Sequence, residues 1–149
     1  IDFDMKIKSV FGNKERIPQK YTCDGENISP SFEFIDIPKN AKSLALIIDD
    51  PDSSSGVFSH WVLFNIPPTA KNIKENSTAG GTEGVNDFGK IGYGGMCPHK
   101  GNHRYQFKLY ALDVKLNLPK GSSKEEVENA IEGHIIDRVL LVGTYSRVQ

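Results

Sequence analysis

Two apolar runs flank one short polar loop, and that arrangement limits what this chain can fold into. Leu44 to Asp49 reads LALIID, and Val62 to Ile66 reads VLFNI before Pro67 and Pro68 close it. Apolar runs this short, bounded by turn residues, predict two buried strands. Between them the chain reads DDPDSSSGVFSHW from Asp49 to Trp61. On the first strand a period of two puts Leu44, Leu46, Ile48 and Asp50 on one side, and Pro51 biases Asp50 towards extended backbone. If the extension holds through Pro51, Asp50 and Asp52 project the same way. On the returning strand His60, Val62, Phe64 and Ile66 share a face, so an imidazole opens an apolar row while Trp61 turns away to pack in the opposite layer. Asp, Pro, Ser and Gly are also ordinary turn residues. The loop alone therefore does not separate a site from a turn, and a second polar cluster is needed.

The rest of the chain supplies one. Met5 to Val10 alternates apolar and charged residues as a half-buried strand does, with Lys6 and Lys8 on its solvated side, and Ser31 to Ile35 alternates with Phe32 and Phe34 together. Ile17 to Pro30 is loop, and Asp36 to Lys42 is a polar connection. From Pro67 to Lys100 glycines crowd a stretch with few apolar residues. A loop of that length inside a compact domain is usually functional. His103 to Asp113, HRYQFKLYALD, is the clearest strand, with His103, Tyr105, Phe107, Leu109 and Ala111 on one face. A second histidine thus opens a buried row. The first clear helix begins near Ser123, where Glu126 completes a capping box and Val127, Ala130, Ile131 and His134 form one apolar side. On that side His134 reads as a satisfied core or interface residue. Ile135 to Arg138 reads as an uncertain helix end, and Val139 to Tyr145 as a final buried strand.

These elements give an all-β to α+β class in one domain over 1–149, a length able to bury a core without metal support. With 18 basic and 19 acidic residues, net charge -1, no electrostatic footprint for nucleic acid or an acidic membrane is present. No apolar run reaches the roughly 20 residues that span a bilayer. The first residues lack the basic segment and apolar core of a signal peptide; Ile1 in place of Met leaves a processed precursor or a start at Met5 as alternatives. The sequons at Asn27 and Asn76 are read as chance. The glycine-rich run is not a dinucleotide fingerprint, since no strand leads into it and no helix follows directly.

Several motifs taken together resemble the phosphatidylethanolamine-binding protein family. They are Asp50-Pro51-Asp52, the pair His60-Trp61, Gly84 to Pro98 (GVNDFGKIGYGGMCP) and Gly101-Asn102-His103-Arg104-Tyr105. Tyr21 to Pro30 (YTCDGENISP) and Gly143-Thr144-Tyr145 resemble its compact bacterial and archaeal branch, the Raf kinase inhibitor-like proteins. The resemblance covers nearly the whole chain. It implies a β-sandwich with a large antiparallel sheet, a smaller sheet and one or two short helices. It also implies a small surface pocket for anions such as phosphate or a phospholipid head group, with no metal and no cofactor. Carried over residue by residue, the ligand-binding set is Asp50, Asp52, His60, Gly95, Cys97, Pro98, His103 and Tyr105, with the Gly95 to Pro98 backbone as a wall. The sequence departs from the branch at Gly94-Gly95-Met96-Cys97-Pro98-His99-Lys100, where Gly-Gly-Pro-Cys-Pro-Pro-Lys is usual, and at Ser53 to Ser55, which replace a proline after Asp52. Met96 removes a fixed backbone angle, and His99 adds a ring at the rim.

Two carboxylates repel a phosphate, so the histidines must gain protons or the ligand must carry a cation. A nearby carboxylate favours imidazolium and burial opposes it. The expectation is that the aspartates orient and charge the histidines, while His60, His103, the Tyr105 hydroxyl and loop N–H groups face the anion. Phosphate then binds tighter at pH 6 than at pH 8.

Free thiols are the default for Cys23 and Cys97 in a reducing cytoplasm. The resemblance places both near one end of the molecule, which keeps a disulfide open. Cys97, His99 and His103 also match a C-x-H-x3-H zinc spacing to which Cys23 could add a fourth ligand, although the family motif already accounts for Cys97 and His103. Three functions follow: a non-enzymatic binding and regulatory protein, a serine protease inhibitor acting through an exposed loop (Ser53 to Phe58 or the glycine-rich run), and a hydrolase using Asp and His with one of Ser53 to Ser55. The family resemblance favours the first, with a phosphorylated ligand, a kinase or a serine protease as partner, a homodimer and a cytoplasmic setting.

Overall fold

The computed structural model describes residues 5–148; Ile1 and both limits of the expected 1–149 domain lie outside them. In chain order the strands are β1 (Lys6–Ser9), β2 (Glu15–Arg16), β3 (Phe32–Ile35), β4 (Ser43–Asp50), β5 (Phe58–Ile66), β6 (Asn72–Ile73), β7 (Thr82–Glu83), β8 (His103–Leu112) and β9 (Ile135–Tyr145). A 3-10 turn, Gln19–Tyr21, and one helix, α1 (Lys124–Ile131), complete the list. β1, β3 and β6 form a small sheet; the large sheet runs β2-β9-β8-β4-β5-β7. Every pairing is antiparallel except that of β2 with β9. A β-rich α+β sandwich with one large and one small sheet is therefore present, as expected.

β4 lies at the centre, between β5 and β8, and is buried along its whole length. That explains why its sequence is almost continuously apolar: both faces are covered. Leu44, Leu46 and Ile48 join Trp61, Leu63, Phe107 and Leu109 against Ile7, Phe32, Phe34 and Ile73 of the small sheet. Ala45 and Ile47 join Val62, Phe64 and Leu112 beneath Val127 and Ile131 of α1. Three layers result, with the large sheet in the middle. Ser123 caps α1 as its sequence predicts: the hydroxyl accepts from Glu126 N, and the Glu126 carboxylate accepts from Ser123 N.

Two irregularities change which face a residue serves. Along β5 the register jumps from Ile48 opposite Trp61 to Asp49 opposite Ser59, which leaves His60 as an extra residue. A second shift falls between Leu44 and Leu46, where Asn65 takes φ 52° and both accepts from Leu116 N and donates to Leu116 O, at 2.8 Å each. These bulges correct the expectation that His60, Val62, Phe64 and Ile66 share one face. Val62 and Phe64 face the helix, Ile66 returns to the sandwich core, and His60 is re-aimed. The segment Ile135 to Arg138, expected as a helix end, is instead the start of β9 and pairs with the end of β8. Its mixed exposure explains the misreading, since most of its side chains lie at an uncovered face. His134 follows the end of α1 rather than lying on its apolar side; half-exposed, it donates from Nδ1 to Asp113 Oδ1 at 2.8 Å.

Cys23 and Cys97 form a disulfide with Cα atoms 5.4 Å apart. The free-thiol default is corrected, and the zinc alternative loses both of its thiolates to this bond. Among the described residues no helix is long and apolar enough to cross a membrane.

Candidate functional site

Period-two alternation at the end of the large sheet delivers the site. Asp50 ends β4, and His103 and Tyr105 begin β8, all on the face towards the small sheet. The β5 bulge swings His60 beside them. Asp50 and His60 are buried, and Tyr105 is fully so. Together with Asp52, Ser53 to Ser55, Phe58, Phe88, Cys97, Pro98, His99 and Lys100 they line one cavity of about 550 Å³.

Each polar group there is held by a specific partner. Asp50 Oδ1 accepts from Asp52 N at 2.8 Å, closing an Asx turn across Pro51. His103 Nδ1 donates to Asp50 Oδ2 at 2.7 Å, and its Nε2 lies 3.0 Å from Lys100 O. Asp52 turns to Arg104: the guanidinium donates to both carboxylate oxygens at 2.7 and 2.9 Å, and Arg104 N donates to Oδ2 at 2.8 Å. These bonds hold the Asp52 carboxyl down at about 2. The expectation that Asp52 orients a histidine is corrected: its carboxylate binds Arg104 and anchors the pocket loop to β8.

His60 differs from its partner. Its Nδ1 donates to Gly94 O at 2.7 Å, and burial, ahead of the raising effects of the Gly94 carbonyl and Asp50, pushes its pKa down. Asp50 therefore orients His103, while a backbone carbonyl orients His60, and the expectation that the aspartates charge both rings is corrected for His60. Neutral, with Nδ1 protonated, His60 presents a bare lone pair at Nε2. Tyr105 OH is buried without a hydrogen-bond partner, and burial, then Asp50 and Asp52, push its ionisation far up. It remains a neutral phenol.

The wall is built from behind. Gly95 N donates to Asn27 Oδ1 at 2.8 Å, Cys23 N donates to Met96 O at 3.2 Å, and Tyr93 OH donates to Tyr21 O at 2.6 Å. A Cβ at Gly95 would collide with the loop that carries Asn27 and Tyr21, so Gly95 acts through close packing, while Cys97 and Pro98 line the cavity. Met96, which stands where the branch has a proline, is fully buried in the sandwich core. His99 is at the rim, as expected.

The model of the phosphatidylethanolamine-binding protein family matches residues 7–146. The chain belongs to that family. It is 50% identical over 150 residues to the "UPF0098 protein" of Methanothermobacter thermautotrophicus, covering 96% of this chain and 99% of that one. The UPF0098 protein of Pyrococcus horikoshii is 48% identical over 153 residues, covering 96% of this chain and 77% of its own length. Among solved structures, a phosphatidylethanolamine-binding protein homologue of Chlamydia trachomatis superposes with a TM-score of 0.94 at 40% identity, covering 99% of this chain and 100% of that chain. E. coli YbcL, described as a new member of the mammalian PEBP family, gives 0.87 at 28% identity, covering 97% of this chain and 99% of that chain.

Within this family fold, sequence reasoning missed two aromatic walls of the cavity. Phe58 and Phe88 meet edge to face with centroids 4.8 Å apart, and both rings contact His60, at 5.1 and 5.4 Å. Phe58 was legible as the residue two before His60. Phe88 was not, because it reaches the cavity through a loop folded around Asn86, which accepts from Phe88 N and Lys90 N and donates to Gly92 O.

Proposed function

We propose that this chain is a non-enzymatic binding and regulatory protein whose cavity takes a small phosphate-bearing ligand, free or as part of a phosphorylated partner or a lipid head group. Membership of the phosphatidylethanolamine-binding protein family supports the general role. The observation that carries the finer reading is the convergence of Asp50, His60, His103 and Tyr105 from three strands into one cavity rimmed by Lys100 and His99. A hydrolase reading is less well supported: Ser53 Oγ and Ser55 Oγ pair with each other at 3.2 Å, while His60 and His103 direct their Nδ1–H groups to Gly94 O and Asp50. By analogy with Raf kinase inhibitor-like relatives the regulatory target is a kinase or a serine protease, and the chain acts as a homodimer. A cytoplasmic setting requires a compartment that tolerates the Cys23–Cys97 disulfide.

Calorimetric titration with inorganic phosphate and phosphoethanolamine tests this, on the native chain and on an Asp52→Ala, His103→Ala double variant. Saturable binding that is tighter at pH 6 than at pH 8 and lost in the variant is expected. Heat without saturation, or equal binding by a folded variant, would remove the phosphate pocket.

A second reading has its own support. The loop from Ser53 to Phe58 is held at one end by the Asp52–Arg104 pair and at the other by Ser59 N donating to Asp87 Oδ2 at 2.6 Å and Asp87 N donating to Ser59 O at 2.9 Å. Val57 at its tip is 56% exposed. A loop fixed at both ends suits insertion into a protease cleft with little ordering cost. Stoichiometric loss of activity in a panel of serine proteases would support it, and turnover without inhibition would count against it.

A further inference from the structure

We propose that the cavity selects a tetrahedral oxyanion carrying its own proton, hydrogen phosphate or a phosphate monoester, and rejects oxyanions that cannot carry one, such as sulfate and phosphodiesters. This rests on the phosphate reading above and names the ligand class within it.

The direction of the hydrogen bonds around the cavity carries the inference. His60 gives its one proton to Gly94 O, so what its ring has left to offer is the Nε2 lone pair. His103 turns both ring nitrogens to protein acceptors, Asp50 Oδ2 and Lys100 O, and so offers the cavity no free donor. The Asp50 and Asp52 carboxylates accept only, and Asp52 is already matched to Arg104. On the inner wall, then, Tyr105 OH is a buried donor without a partner, beside acceptors at Asp50 and His60. The cationic Lys100 lies at the mouth, with the exposed ring of His99.

A fully deprotonated oxyanion set in this cavity places lone pairs against the His60 Nε2 lone pair and the Asp50 carboxylate. An oxyanion with one P–OH turns that repulsion into a hydrogen bond donated to Nε2 or to Asp50, while its other oxygens accept from Tyr105 OH and meet Lys100 at the rim. The puzzle of two carboxylates in an anion pocket is resolved by the ligand's proton. A phosphate monoester holds that proton at about pH 6 and below, and inorganic phosphate still carries one P–OH at about pH 8; sulfate and phosphodiesters have none to give. A site built around such a bond discriminates strongly against an analogue that lacks it, because its buried acceptors go unpaired.

The test is a ligand series on the native chain by calorimetry at pH 6 and pH 8: inorganic phosphate, methyl phosphate, sulfate, dimethyl phosphate and glycerophosphoethanolamine. Inorganic phosphate is expected to bind at both pH values and methyl phosphate more tightly at pH 6, with sulfate and both diesters at least about tenfold weaker than phosphate at either pH. A His60→Gln variant, whose amide can donate where the ring accepts, is expected to narrow the phosphate-over-sulfate ratio while phosphate still binds; a thermal melt checks that it folds. Sulfate that tracks phosphate, tightening equally at pH 6, would mean that protein groups supply the proton and would overturn the inference while leaving the phosphate pocket standing. Glycerophosphoethanolamine binding tighter than phosphate would overturn it in favour of a ligand ammonium as the donor. Binding of none of these ligands would remove the phosphate pocket itself.

Discussion

His60 and His103 lie in one cavity yet are set to opposite tasks by their first partners. Burial pushes the pKa of His60 down while a backbone carbonyl orients its ring; His103 is oriented instead by the Asp50 carboxylate. The difference has a consequence for stability. Below about 6.5 the unfolded chain protonates His60 more readily than the folded one does, so stability should fall as pH drops through that value. At lower pH the carboxylates take over. Asp52, through Arg104, and Asp24, through Tyr145 and Arg147, are both held at about 2. Their contribution is complete above about 3.9 and is lost as pH falls from there through 2. Urea midpoints measured from pH 8 to pH 2 should show both declines; His60→Gln should flatten the upper one and Asp52→Asn part of the lower one. A profile unchanged by either substitution would contradict these assignments. Alternation put Asp50, His103 and Tyr105 in buried rows, where the family resemblance marked them as a site. It failed at His60 because a bulge leaves no mark in a period of two, and it failed at Phe88 because that ring arrives through a loop ordered by one buried asparagine.

Strands and loops show the same division. β4 and β8 could be read directly because both have strict patterns enforced by burial, and α1 because Ser123 and Glu126 spell out its start. Replacing Ser123 by Ala should cost about 1 kcal/mol, read from denaturant unfolding. The stretch from Pro67 to Lys100 was legible as functional but not in its form. Its order comes from contacts distant in sequence, chiefly the bonds from Tyr93, Gly95 and Met96 to the loop holding Tyr21, Cys23 and Asn27. The Cys23–Cys97 disulfide fastens the same two segments across a separation of 74 residues. A loop of that size gives about 4 kcal/mol in the chain-entropy description. A Cys23→Ser, Cys97→Ser double variant should lose stability of that order in denaturant unfolding, and no loss would mean that the wall's hydrogen bonds alone hold it.

At the scale of the molecule, the large sheet separates two different environments, and the last two residues of β4 point one into each. Asp50 faces the cavity. Asp49, fully buried on the helix side, accepts from Lys108 Nζ at 3.0 Å and from Lys124 Nζ at 2.9 Å. Lys124 is the first residue of α1, so this triad ties the helix to the sheet directly behind the cavity. Burial pulls the Lys124 ammonium down, yet the hydrogen bond and charge of Asp49, with the charges of Glu128 and Asp87, together outweigh it and its pKa is raised. Removing the carboxylate leaves two lysines without their shared partner, and Asp49→Ala should cost on the order of 3 kcal/mol in unfolding experiments.

Whether this end of the sheet is a phosphate pocket can be read most directly from the histidine rings. Side-chain nitrogen and proton NMR at pH 7, recorded while inorganic phosphate is added, reports the tautomer of His60 and the site of binding together. The expected result is a His60 ring protonated at Nδ1 alone that shifts saturably with phosphate, along with His103, while His134, beside Asp113 past the other end of β8, stays still. A His60 ring protonated at both nitrogens before phosphate is added, or a shift of equal size at His134, would contradict it.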